Sequence, residues 1–176
     1  MNSLKVTPLS IEKIRKTANS IRNSLDEISG VEKKYKFPIV EFIENILPKL
    51  FDEFIFEILS EEEMGDYHGL TYTNEGNIKI REDVYLNAVE GKGRDRFTMA
   101  HELGHFLLHN PKNVILARTK SKTKIYEDAE WQADTFAAEL LMPIDMITDE
   151  DDIDSISRKF GVSAKAAEVR LNKVRH

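Results

Sequence analysis

The chain has 176 residues, a formal net charge of −6 and 41% hydrophobic residues, which suits one folded unit with a real core rather than a disordered segment. It has no cysteine, so disulfides and thiolate metal sites are excluded and any metal must be held by nitrogen and oxygen. The acidic balance argues against a generic nucleic-acid binder, which carries a basic field.

MNSLKVTPLSIEK lacks an apolar signal core, and no run approaches membrane-spanning length. The expectation is a soluble cytoplasmic protein with no membrane partner. Pro8 suits a helix's first turn, and Ile11, Ile14, Ala18, Ile21 and Leu25 recur at helical spacing, so a helix is predicted over about 8–28. Pro38 opens a second helix with Val40, Ile43 and Leu47 as its stripe, its end weakened by Pro48. Phe54, Phe56 and Ile58 alternate as in a strand. In HGLTYTNEGNIKIRE, Leu70–Thr73 and Ile78–Arg81 flank a turn at Asn74–Asn77 and read as a β-hairpin.

A helix is predicted from Arg94 to about His109, stopped by Asn110-Pro111. Residues 112–125 read as a polar loop or irregular edge. A helix over Tyr126–Met142 ends at Pro143. The run Asp149–Asp152 reads as a solvated connection, before short helices at Ile153–Phe160 and Ala164–Val174. The class is α+β, mostly helices with a small sheet. One domain is expected over 1–176: N-terminal helices and first strand (1–60), hairpin and central helices (61–148), and a C-terminal helix pair (149–176).

Chemistry concentrates in TMAHELGHFLLH, 98–109. Residues four apart on a helix sit one above the other, so His101 and His105 can aim their imidazoles at one point. Neutral imidazole is a good zinc ligand. Glu102 lies about 100° around the helix and flanks that point, placed to act as a general base on water without ligating. The competing reading is a surface helix with two unrelated histidines. Phe97, Met99, Ala100, Leu103, Phe106, Leu107 and Leu108 make the helix apolar nearly all round, which favours burial and hence a metal. Gly104 within this helix costs about 1 kcal/mol of propensity, which close approach by another element would explain.

His109 stands about 12 Å along the axis from His101, too far for one ion with bonds of about 2 Å. An alternative three-histidine motif would need glycine at 108 and histidine at 111, where the chain has Leu108 and Pro111. His109 is therefore expected at the helix end, its charge or N–H facing the last carbonyls. A third ligand must come from elsewhere. Glu130, Ala133, Asp134, Ala137 and Leu141 fall on one helical face, read as buried, which makes Glu130 the best candidate and Glu127 the runner-up. Asp134 would accept a ring N–H from a ligand histidine. This is the arrangement of thermolysin-like gluzincins, two histidines and a glutamate with an open fourth position. Tyr67, His68 and Tyr126 are candidates for the oxyanion donor.

RDRFTMAHELGHFLLH followed by EWQADTFAAELLMP resembles the ImmA/IrrE family of metallo-endopeptidases. The resemblance covers Arg94–Pro143, continues loosely through ISRKFGVSAKAAEVRL, and barely touches residues 1–60. It implies a minimal zincin-like fold with a small antiparallel sheet. It also implies one Zn2+ per chain on His101, His105 and Glu130, with Glu102 as catalytic base. Asp134 stands where many relatives have asparagine. Members often cleave a helix-turn-helix repressor encoded nearby, so a protein substrate of that kind, a repressor or antitoxin, is the expected partner; others are toxin components. Two alternatives remain. One is a toxin or partner-binding module with a non-proteolytic metal site. The other is DNA binding through the C-terminal pair, where 151–176 hold six Lys/Arg against four Asp/Glu. Ile153, Ile156, Phe160, Val162, Val169 and Val174 would serve equally to pack that pair on the body.

Overall fold

The computed structural model describes residues 6–29, 35–109 and 124–175. The fold is α+β, with a three-stranded sheet among helices. Helix α1 (Ile11–Ser29) forms where the apolar periodicity places it. Pro38 precedes α2 (Ile39–Glu41), which runs through a π-helical turn (Phe42–Ile46) into α3 (Leu47–Leu50). Pro48 thus does not end the segment. It has no N–H for the carbonyl of Glu44, and the segment passes this point through a wider turn, in which the Leu47 N–H reaches the Phe42 carbonyl.

Strand β1 (Ile55–Leu59) is followed by α4 (Glu61–Met64), then β2 (Gly69–Tyr72) and β3 (Asn77–Arg81). The hairpin forms as its turn residues predict, with Gly76 at φ 66°. The sheet order is β1-β3-β2, with β2 antiparallel to β3 and β1 parallel to it. The expected antiparallel sheet is therefore mixed. The physical reason is α4: Ser60 and Glu63 cap each other's backbone N–H groups, starting a helical turn that carries the chain across the sheet and leaves the middle place to β3. Central β3 buries Ile78 and Ile80, whereas Ile58 on the outer strand is exposed.

A short helix that the periodicity did not indicate, α5 (Glu82–Val89), leads to α6 (Gly93–Leu108). The next helix begins later than expected. Ile125–Glu127 is a 3-10 turn, and Asp128 caps α7 (Ala129–Leu141) by accepting from the N–H groups of Glu130 and Trp131. The loop expected over 112–125 lies, up to residue 123, outside the described residues. Another 3-10 turn (Ile144–Met146) follows, then α8 (Ile153–Phe160) and α9 (Ala164–Arg175).

The acidic connection is not simply solvated. Asp151 is buried and accepts from the Thr148 N–H, Ser155 and Lys159, while Asp152 caps α8. Ile156, Phe160, Val162, Ala167 and Leu171 of the C-terminal pair join the core, although Val169 faces outward. A Cβ at Gly93 would stand 2.2 Å from the Val162 carbonyl carbon, so the start of α6 rests directly on the α8–α9 turn. No helix among the described residues is long and apolar enough to cross a membrane.

Candidate metal centre

Helices α6 and α7 make the site together. Their contact is close because Gly104 faces Ala133: a Cβ on Gly104 would lie 3.1 Å from Ala133 Cα and 3.1 Å from Phe136 Cδ1. The glycine that weakens the helix in isolation is what lets the second helix approach. Leu103, Ala137 and Leu140 seal the contact in the core. Glu139 of α7 fixes the other side of that helix. Its carboxylate is paired by Arg15 of α1, at 3.0 and 3.2 Å, and bidentately by Arg170 of α9, at 2.8 and 2.9 Å.

On this frame three ligand residues converge. His101 Nε2 is 3.0 Å from His105 Nε2. Glu130 places Oε2 3.3 Å from His101 Nε2 and Oε1 3.4 Å from His105 Nε2. A tetrahedral ion with bonds of 2.0–2.1 Å needs ligand atoms about 3.3–3.4 Å apart, so the spacing and the nitrogen/oxygen chemistry fit a divalent metal. These three residues are the metal-compatible group among the described residues. Glu127 is not in it; its carboxylate accepts from the Lys124 N–H.

The Nδ1 atoms point away from that centre. His101 Nδ1 is 2.8 Å from Asp134 Oδ1, the contact expected of Asp134. The face carrying Glu130 and Asp134 is not buried as expected: their side chains are 64% and 61% exposed, against 18% and 15% for His101 and His105. The imidazoles are thus walled in while the carboxylates rim an open side. His105 Nδ1 is 3.0 Å from His109 Nδ1, and His109 Nε2 is 3.1 Å from Gln132 Oε1. His109 ends α6, as expected, but its ring faces His105 and Gln132 rather than the last carbonyls, and it is buried behind the site where α7 packs over the last turn of α6.

Glu102 lies beside the ligands, only 7% exposed. Thr71 of β2 puts its hydroxyl 2.6 Å from Glu102 Oε2 and 3.1 Å from the Glu102 carbonyl. A Cβ on Gly69 would stand 2.6 Å from Glu102 Cγ, so β2 is pressed against this side chain. Burial raises the Glu102 pKa; Thr71 and His101 oppose it, and Glu130 adds to it. Burial alone would lower the His101 pKa, but Asp134, Glu102 and Glu130 outweigh it and the value is raised. His105 is pushed down to about 3 by burial and by its two histidine neighbours. Burial lowers His109 too.

Tyr67, His68 and Tyr126 are not drawn into this network. Among the described residues, the hydrogen bonds of His101, Glu102 and His105 involve no side chain of these three. His68 Nε2 instead lies 3.2 Å from the Arg94 guanidinium, which can only donate, so this nitrogen accepts. Sequence reasoning missed Thr71, Gln132 and the structural use of His109. For His109 a signal existed, since it repeats the four-residue step from His105.

A family model described as Peptidase_M78, IrrE N-terminal-like domain, matches residues 49–172. The chain belongs to this peptidase family. Membership supports a metallopeptidase-type function, and the match covers β1 through most of α9, so it takes in every ligand candidate. No curated protein and no solved structure matches the chain.

Proposed function

We propose that the protein is a cytoplasmic zinc-dependent endopeptidase in which His101, His105 and Glu130 hold the ion and Glu102 is the general base. The observation that carries this reading is the convergence of the two Nε2 atoms, 3.0 Å apart, with the Glu130 carboxylate, which sets one oxygen 3.3 Å from the first and the other 3.4 Å from the second, beside a buried glutamate. When bound, zinc supplies Lewis-acid polarisation of the scissile carbonyl and lowers the pKa of a water toward ~7.

Glu102 would take a proton from the attacking water on its carboxylate as the water oxygen bonds to the scissile carbonyl carbon, and deliver it to the amine nitrogen as the C–N bond breaks. Burial makes it a better base than an exposed glutamate, and Thr71 holds its carboxylate in place. Asp134 orients the His101 ring. The open carboxylate rim leaves substrate a route in. An extended peptide is read by β2, an outer strand of the sheet whose Gly69 and Thr71 touch Glu102. Strand pairing requires an extended backbone, so the scissile segment of a helix-turn-helix regulator encoded nearby lies in a linker or in a helix that locally unfolds. Such a regulator is the proposed substrate.

The test combines metal content with cleavage. Wild type is expected to carry about one zinc per chain by elemental analysis, and Glu130→Ala to lose it. Glu102→Gln is expected to keep zinc while cleavage of the regulator encoded beside the gene drops about 10²–10⁴-fold. Cleavage by Glu102→Gln at the wild-type rate overturns the mechanism.

A further inference from the structure

Resting on the metal-centre reading, we propose that Gln132 and His109 form a positioning relay that fixes which nitrogen of His105 is free to bind metal. The argument is a matter of counting donors and acceptors. Gln132 is fully buried in α7, and its amide nitrogen lies 2.9 Å from the Thr7 carbonyl and 2.8 Å from the Tyr126 carbonyl. Carbonyls only accept, so both N–H groups of the amide are committed and Oε1 must be the atom facing His109. Oε1 accepts too; hence His109 Nε2 carries the proton. His109 is 4% exposed and its hydrogen-bond partners are a histidine and an amide, not a carboxylate, so it is held neutral and its Nδ1 is an acceptor. The donor 3.0 Å away must then be His105 Nδ1–H. That leaves the lone pair of His105 on Nε2, at the point shared with His101 and Glu130.

The two histidine ligands are thus oriented by different devices. His101 leans on a carboxylate at the open rim, 61% exposed. His105 leans on a neutral, buried chain that ends at the backbone of the N-terminal segment. That segment is itself held to the stretch before α7, through Val6 N–H to the Glu127 carbonyl and Leu9 N–H to the Tyr126 carbonyl. Docking of residues 6–9 therefore sets the Gln132 amide, and through it the tautomer of a ligand two steps away. His109 and Gln132 are positioning residues; neither touches the centre.

Two measurements test this. Long-range proton–nitrogen NMR of the metal-free, full-length wild type reads tautomers directly. The expected spectrum has His105 protonated on Nδ1 and His109 on Nε2; protonation of His105 on Nε2 overturns the relay. Separately, zinc affinity is measured by competition with a chromophoric chelator, with circular dichroism confirming fold. His109→Phe keeps a ring but removes both nitrogens, and is expected to bind zinc about 10–100-fold more weakly. His109→Asn, whose amide oxygen reaches the position of Nδ1, is expected to recover most of that loss. A folded His109→Phe with wild-type affinity overturns the relay while leaving the metal centre intact. Failure of the wild type itself to bind zinc overturns the metal-centre reading, and the relay's function with it. Should His109→Phe not fold, the wild-type tautomers decide.

Discussion

The Thr71 hydroxyl stands 2.6 Å from the Glu102 carboxylate and 3.1 Å from the carbonyl of the same residue. One hydroxyl proton serves two geometries. With Glu102 ionised, Thr71 donates to the carboxylate. With Glu102 protonated, Thr71 accepts from it and turns its own proton to the carbonyl. The strand thus supports the base before and after it takes a proton.

Removing that support has a predicted sign. Thr71 lowers the Glu102 pKa against the upward pull of burial. In Thr71→Val the carboxylate loses this bond, its pKa rises, and the acidic limb of the kcat/KM profile moves to higher pH. Thr71→Ser keeps the hydroxyl and is expected to keep the wild-type limb. Superimposable profiles for the valine variant and wild type would show that Thr71 does not support the base.

The Gly104–Ala133 contact predicts a separation of stability from metal binding. Alanine at 104 gains about 1 kcal/mol of helix propensity. Its methyl, however, meets Ala133 Cα and Phe136 Cδ1 at 3.1 Å and the Ala133 carbonyl at 3.2 Å. Helix α7 must shift by a few tenths of an ångström, carrying Glu130 with it. Gly104→Ala is expected to stay folded while zinc affinity falls, by about tenfold if the shift resembles loss of outer support for a ligand. Chelator competition checks it, and unchanged affinity would mean that the helix spacing does not set the centre.

Glu139 is the anchor that holds α7 from behind. It is 1% exposed and bonds Arg15 and Arg170 together. Burial raises its pKa, but the two guanidiniums outweigh this and leave it lowered. Glu139→Ala leaves the buried Arg170 guanidinium without its carboxylate and is expected to cost about 3–5 kcal/mol in urea unfolding. A loss below about 1 kcal/mol would show that water or another acid takes over.

Asp151 gives a pH prediction away from the centre. Its carboxyl is held down to about 2, first by the Thr148 N–H, with Lys159 and Ser155 acting the same way against burial. A carboxylate whose folded pKa is depressed contributes stability above its unfolded pKa, about 3.9, and loses it as pH falls through the folded value. Asp151→Asn is therefore expected to be less stable than wild type at neutral pH, by about 1–3 kcal/mol. The gap should close between about pH 4 and pH 2. A gap that persists undiminished at pH 2 would assign the effect to packing instead of charge.

What could be read without coordinates was local. The four-residue step of His101 and His105, the flanking Glu102, the hairpin around Gly76 and the final helix pair all follow from periods and turn chemistry acting over a few residues. Even the reason for Gly104 was legible as a demand for close approach, though not the identity of the approaching residue, Ala133. Tertiary structure decided the rest. The parallel pairing of β1 with β3 depends on a capped turn at Ser60 whose effect is felt across the sheet. The open rim at Glu130 and Asp134 depends on which side of α7 its neighbours leave uncovered. The burial of His109 depends on α7 closing over the end of α6, with Gln132 meeting it from 23 residues away. Periodicity specifies which side chains share a face of one element; which face is covered, and by what, is set by helix packing and donor–acceptor matching between segments distant in the chain.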